Sequence, residues 1–341
     1  MKPPLKINKA IVIIVSLFVL LFLLGACLLI KSKTGNEEKL TILIEKEITL
    51  NAWLHSKESA QIVDDPFIFE KLAQIKNLVT IKAGYYQIQP HMTNNQLVNK
   101  FKAGLVDPIS IAIENMKNIY EVCGRLGKKL QADSSAFAEY IMSPSNLNHL
   151  NSDAYNVMGF IPPNTYNFNY TTTPQEFMER MLKNYHVFWT EERLNRVQAM
   201  NMTPAQVITL ASIVKAETAK NDEAPKIAQL YLNRLRINMA LQSDPTATYG
   251  KQLEHVERVS NVHTSVKSAY NTYQFVGLPP GPINFPETIY LEAVLHPELH
   301  DYLYMCAQPK KTGYHNFAAT YAEHQRYAAV YHQWLDANGI R

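Results

Sequence analysis

The residue best placed to move a proton in this chain is Glu217, which closes the run TPAQVITLASIVKAE from Thr203. Taken as a helix of about 100° per residue with Leu210 at zero, the run puts Val214 near 40°, Val207 near 60°, Ala211 near 100° and Glu217 near −20°. Glu217 therefore lies within or beside the apolar stripe. Desolvation disfavours a charged carboxylate and can raise its pKa by up to roughly 3 to 5 units, so a carboxyl held there can serve as a general acid near neutrality. The alternative is that Glu217 ends the helix at the surface, or pairs with Lys220 or an arginine. A second group of polar residues lies downstream in AYNTYQFVGLPPGPI, Ala269 to Ile283, where Tyr270, Asn271 and Tyr273 precede a proline-rich turn. Aromatic faces and amide edges of this kind suit a sugar ring, and proline lowers the entropy lost when such a loop binds. A purely structural cluster of turns is the other account of it.

The elements that must position these groups are legible. Thr203, Pro204 and Gln206 form a capping box with proline at the first helical position, which starts a helix. It gives way near Asn221-Asp222-Glu223, and a second helix follows with Pro225 in its first turn. Ile227, Ala228, Tyr231 and Leu235 share one face of that helix, Asn233 lies off it, and Asn238 marks its end. Leu241 to Thr246 is a polar loop that includes Gln242 and Ser243. It leads to a short helix with Asp244 as N-cap, Pro245 at N1 and Gly250 as the stop. Glu223, six residues after Glu217, falls about 240° around any continuous helix and so faces away from it.

The run ASIVKAET, then LNRLR, LQSDPTATYG and AYNTYQFVGLPPGPI, resembles the YceG-like endolytic murein transglycosylases in order and spacing. The resemblance continues through HPELHDYLYMCAQP and YHNFAATYAEH; it covers Gly159 to Arg341 well, Thr80 to Gly104 more loosely, and Leu105 to Met158 weakly. It implies an enzyme that cuts the MurNAc–GlcNAc β-1,4 bond of peptidoglycan strands and leaves 1,6-anhydro ends, with no cofactor and no metal. Glu217 would then first protonate the glycosidic oxygen and afterwards take the proton of the attacking 6-hydroxyl. The substrate-binding candidates are Asn233, Gln242, Ser243, Asp244 and Tyr249, with Tyr270, Asn271 and Tyr273 from the later loop. The family carries an acidic residue before the glycine of the segment at Gly159; this chain has Met158 there, and no role is assigned to that position. Two other classes stay open: a hydrolase with Glu217 as acid and Asp244 as base, since paired carboxyls are the ordinary glycosidase arrangement, and a glycan-binding scaffold without turnover.

The expected fold class is α+β: one N-terminal transmembrane helix, a small LysM-like module over residues 39–104, and a mainly helical catalytic domain with short strands over 109–341. Residues 1–9 carry three lysines, and Ala10 to Ile30 is an uncharged apolar run of about 21 residues, about 31 Å as a helix, long enough to span a bilayer. The N-terminus is expected to be cytoplasmic and the rest extracytoplasmic, at the inner membrane. A cleaved signal peptide, or a lipoprotein box at Leu24-Gly25-Ala26-Cys27, would compete with an anchor, but Leu28-Leu29-Ile30 continue the apolar run past the cysteine. The module, by resemblance, is associated with amino-sugar polymers; a rigid spacer above the membrane is the alternative. Cys123 and Cys306 permit one disulfide without implying it. A net charge of +3 and the lack of a long basic run argue against nucleic acid, which leaves glycan strands, the membrane and peptidoglycan synthases as expected partners. Tyr302 to Met305 is expected as a buried strand, Tyr314 to Phe317 as the end of another, and Thr320 to Asn338 as a structural helix packed through Tyr321, Tyr327, Ala328, Tyr331 and Leu335. His315 is either a functional group or a satisfied structural histidine.

Overall fold

The computed structural model describes residues 12–20, 25, 32–250, 265 and 267–339. Within the apolar run, residues 12–20 are helical with exposed side chains, and most of the rest of the expected anchor lies outside the described residues. Among the described residues, no helix is long and apolar enough to cross a membrane. The chain divides into two compact units, one drawn from the sequence up to Ser110 with Lys129–Gln131 and Asn167–Thr172, the other from Ile111–Lys128, Ala132–Tyr166 and Thr173–Arg341.

In the first unit, β1 (Leu40–Ile44) pairs antiparallel with β4 (Gly84–Ile88), Leu40 opposite Ile88 and Ile44 opposite Gly84. The short β2 (Ile48–Thr49) pairs with β3 (Thr80–Ile81). Four helices accompany these strands: α1 (Leu50–Leu54), α2 (Lys57–Ala60), α3 (Pro66–Ile75) and α4 (Asn94–Ala103). The cap of α4 is Thr93, whose hydroxyl and Gln96 form a reciprocal capping box, and Gly104 ends the helix at φ 62°, the left-handed conformation that glycine adopts without a Cβ clash. Trp53, Phe69, Tyr86 and Phe101 form an aromatic centre, with Phe101 edge-on to Trp53 at 4.9 Å and to Tyr86 at 5.0 Å. The sequence reading missed α1 and α2, which are only about one turn each.

The strands β5 (Ile109–Ile113) and β6 (Asn164–Phe168) form a separate two-stranded sheet. The second unit is mainly helical: α5 (Ile119–Gly127), α6 (Ser134–Ile141), α7 (Pro144–His149), α8 (Pro174–Phe188), α9 (Glu191–Ala199), α10 (Pro204–Glu217), α11 (Ala224–Arg236), α12 (Asp244–Gly250) and α13 (Thr288–Leu295). Its centre is α10. The Thr203–Gln206 capping box starts that helix, and every residue from Val207 to Val214 is buried. It is therefore enclosed on all sides, packed against α11 and α13, and has no solvent face of the kind the stripe assumed. Leu210, Ile213 and Val214 share one core with Ile227, Tyr231, Val294 and Leu295.

The chain closes with an antiparallel pair, β7 (Tyr304–Ala307) and β8 (His315–Ala318), and the helix α14 (Tyr321–Ala337) capped by Thr320. Two expectations change here. β7 is half-buried, not buried. Of the α14 residues expected to pack, only Leu335 is buried and Tyr321 is 58% exposed; Tyr321, Tyr331 and Leu335 line a cavity. Cys123 and Cys306 are both free thiols.

Candidate active site

The C-terminal end of α10 sets the site. The helix stops at Glu217 because Thr218 turns to extended backbone, φ −144° and ψ 140°. Glu217 lies in the wall of a cavity of about 550 Å³, together with Tyr231 and Arg234 of α11, Gln242, Asp244, Tyr273 and His315. Its Oε1 accepts two hydrogen bonds, from the Tyr231 hydroxyl at 2.6 Å and from the Ser243 hydroxyl at 2.5 Å. Among the described residues Oε2 has no hydrogen-bond partner, so it is the oxygen available to a ligand. No salt bridge forms with Glu217 among these residues; Lys220 lies instead over the Tyr314 ring at 5.0 Å.

Solvent reaches Glu217 from the cavity, so the residue counts as half-buried by surface, yet protein encloses its carboxyl on the other sides. The enclosure governs its ionisation. Burial pushes the carboxyl above its ordinary pKa, the Ser243 and Tyr231 hydrogen bonds draw it part of the way back, the charge of Asp244 raises it, and His315 lowers it when its ring is protonated. Burial and then the neighbouring Glu217 push Tyr231 well above its ordinary value, which keeps its hydroxyl a donor to Oε1.

A threonine network fixes Ser243. The Ser243 N–H donates to Thr272 Oγ1 at 3.0 Å, the Thr246 hydroxyl donates to the Ser243 carbonyl at 2.6 Å, and the two threonine hydroxyls meet at 2.8 Å. Gln242 precedes it at φ 50°, in the left-handed region. Asp244 does not use its carboxylate as the expected helix cap. α12 begins at Asp244 itself, Ser243 before it is committed to Glu217, and the Asp244 carboxylate accepts from the Tyr273 hydroxyl at 2.6 Å.

The cavity thus gathers Glu217, Gln242, Asp244 and Tyr273, with Ser243 bonded to Glu217. The other candidates lie elsewhere. Asn233 donates to the carbonyls of His300 at 2.7 Å and Tyr302 at 3.1 Å, and it borders a different cavity of about 950 Å³ with Leu278, Pro279 and Pro280. The proline-rich turn therefore lines that cavity and not the one that holds Glu217. Tyr249 and Tyr270 pack against each other at 4.7 Å. Asn271 is buried, and its Oδ1 accepts the Tyr273 N–H at 3.1 Å, a contact that holds the tyrosine rather than a ligand.

Glu223 also departs from expectation. Because α10 ends at Glu217 and α11 starts at Ala224, no continuous helix joins the two glutamates; Glu223 is buried and bonded to His315. The sequence reading did not anticipate Tyr231 beside Glu217, nor Arg234, Tyr304 and the α14 residues Tyr321, His324 and Tyr331 in the same cavity. A tyrosine on an otherwise apolar face was the available signal, since a buried hydroxyl needs a partner.

The chain is 28% identical over 286 residues to the endolytic murein transglycosylase of Streptococcus pneumoniae strain R6, covering 73% of this chain and 51% of that protein. It spans about half the length of the pneumococcal relatives it matches. It is 25% identical over 321 residues to the endolytic murein transglycosylase of Bacillus subtilis, covering 89% of this chain and 88% of that one. The crystal structure of a YceG-like protein from Listeria monocytogenes, 27% identical, aligns with a TM-score of 0.58 over 85% of this chain and 99% of its own. The YceG-like family matches residues 42–330, and the chain belongs to that family.

Proposed function

We propose that this protein is an endolytic peptidoglycan transglycosylase with Glu217 as its general acid. The observation that carries the proposal is the enclosed Glu217 carboxyl, bonded through Oε1 to Tyr231 and Ser243 in the wall of a cavity. Its raised pKa favours the protonated form that a general acid needs. Glu217 gives its proton to the glycosidic oxygen as the bond from that oxygen to C1 of the N-acetylmuramoyl residue breaks. The 6-hydroxyl of the same residue then attacks C1, and its proton passes to the Glu217 carboxylate. A 1,6-anhydro end forms and no water is consumed. Gln242 and Tyr273 offer an amide edge and an aromatic face in the same cavity for the sugar rings.

One observation favours a second account. Asp244 shares the cavity with Glu217, and a hydrolase would use it as the base that activates water. Mass spectrometry of products from isolated glycan strands separates the two, because the transglycosylase product is lighter than the hydrolysis product by one water. Anhydro ends at internal cuts are the expected result; hydrated ends throughout would transfer the assignment to the Glu217–Asp244 pair.

The apolar run from Ala10 to Ile30 is proposed as an anchor that holds the enzyme at the membrane with its catalytic unit on the extracytoplasmic side, near nascent strands and the synthases that make them. The first unit is proposed as a LysM-like glycan contact.

A further inference from the structure

The Glu217 cavity contains a second proton-carrying group. His315 opens β8 and lines the cavity, and the buried Glu223 holds it twice: Oε1 accepts the His315 backbone N–H at 2.8 Å and Oε2 accepts Nδ1–H at 2.8 Å. Thr218 adds a longer hydrogen bond to the same Oε2 at 3.4 Å, and the Thr218 hydroxyl accepts the Lys220 N–H at 2.9 Å. The Glu223 side chain is 5% exposed and that of His315 15%. Both carboxylate oxygens act as acceptors, so the ring carries its hydrogen on Nδ1. A neutral imidazole with the hydrogen on Nδ1 has its lone pair on Nε2, and among the described residues the ring makes no other hydrogen bond.

We propose that His315 accepts the proton of the attacking sugar hydroxyl through Nε2, and that Glu223 is the positioning residue that fixes its tautomer and orientation. The proposal rests on the transglycosylase assignment and moves its second proton from Glu217 to His315. The hydroxyl oxygen bonds to C1 as its proton passes to Nε2, while the glycosidic bond breaks and Glu217 protonates the leaving oxygen. Glu223 stabilises the resulting imidazolium. The proton then returns to the Glu217 carboxylate, directly or through water, and atoms and charge balance without an oxidant or a co-reactant.

A merely structural pair would tie β8 to the start of α11 and do nothing more, and Glu223→Gln distinguishes the two roles. With its one carbonyl oxygen kept on the His315 backbone N–H, the amide NH₂ of glutamine faces Nδ1 and must donate to it. The ring hydrogen then moves to Nε2, which becomes a donor and no longer accepts; a carboxylate-to-amide change beside a catalytic histidine acts in the same way in serine proteases.

The test uses the full chain and isolated glycan strands, with the rate of anhydro-end formation and the ¹⁵N spectrum of labelled histidine as readouts. His315→Ala is expected to lower kcat by about 10²-fold or more with little change in KM, and added imidazole is expected to restore part of the loss. Glu223→Gln is expected to lower kcat similarly while the His315 signals report a proton moved from Nδ1 to Nε2. Wild-type kcat in both variants would overturn the proposal, as would a loss in His315→Ala that imidazole leaves unchanged. A wild-type protein that makes no anhydro ends would instead overturn the transglycosylase assignment beneath it.

Discussion

Glu217→Gln perturbs the site at its centre while changing its shape least. The amide oxygen can still accept from Tyr231 and Ser243, now at 2.6 and 2.5 Å from Oε1, and the amide nitrogen takes the place of Oε2, which has no hydrogen-bond partner among the described residues. Each hydrogen bond weakens when its acceptor loses charge, from about 1.5–3 to about 0.5–1.5 kcal/mol, but the cost of enclosing a carboxylate disappears as well. The stability effect follows from the sign of the pKa shift. The folded-state pKa of Glu217 lies above the ordinary carboxylate value, so in the window between the two the folded state binds more protons, and wild-type stability falls as pH rises through it. Glutamine does not titrate. The Tm of the variant minus that of wild type should therefore increase with pH across that window, at roughly 2–4 °C per kcal/mol for a unit of this size. Turnover should move the other way: losing one general-acid transfer costs about 10²- to 10⁴-fold, or roughly 3 to 5.5 kcal/mol of barrier, and losing two would exceed that. The assay is the rate of anhydro-end formation on isolated strands, with Tm followed by circular dichroism at several pH values. Activity within tenfold of wild type, or a Tm difference that does not vary with pH, would falsify the account of Glu217 as an enclosed acid.

Tyr231→Phe and Ser243→Ala each remove one of the two donors that lower the Glu217 pKa, so each should shift the alkaline limb of the pH–rate profile upward; an unmoved limb in both would mean that these bonds do not set the acid. Tyr331→Ala removes a ring that lines the cavity and should raise KM for glycan strands by about 3- to 10-fold, the range expected for one aromatic contact, with kcat nearly unchanged; a selective loss of kcat would contradict a binding role. Cys27→Ser should leave the full-length protein in the membrane fraction, because Leu28-Leu29-Ile30 extend the apolar run past that residue; release of the variant would favour lipid attachment at Cys27.

How much of the site was legible depends on how locally each feature is determined. Thr203, Pro204 and Gln206 stand within one turn of each other and specify the start of α10 by their own hydrogen bonds, so sequence spacing is enough. The same holds for Thr93 and Gln96 at α4. Glu217 was legible for a less secure reason, since the helical-stripe geometry assumed one apolar face and the helix is buried on all of them. Its position as the last helical residue matters more, because the turn at Thr218 takes the chain away from the carboxyl. That turn also made the 240° separation of Glu223 irrelevant. An angle around a helix has meaning only while the helix continues.

Several residues that the sequence could not place depend on contacts distant in sequence. Asn233 looked free because it lay off the apolar face of α11, but carbonyls 67 and 69 residues later take its amide. His315 is 92 residues from Glu223, and neither spacing nor composition links the two. α14 shows the most general form of the difficulty. Tyr321, His324, Tyr331 and Leu335 recur at helical spacing, a pattern that ordinarily marks a face packed into a core, and the chain packs only Leu335 that way. A face that lines a cavity can carry the same aromatic residues at the same helical spacing as one that fills a core, because rings with a polar edge suit either surface. The difference lies in what stands opposite. Here it is a cavity of about 550 Å³ whose wall also holds Glu217, which only the fold of the whole unit brings there.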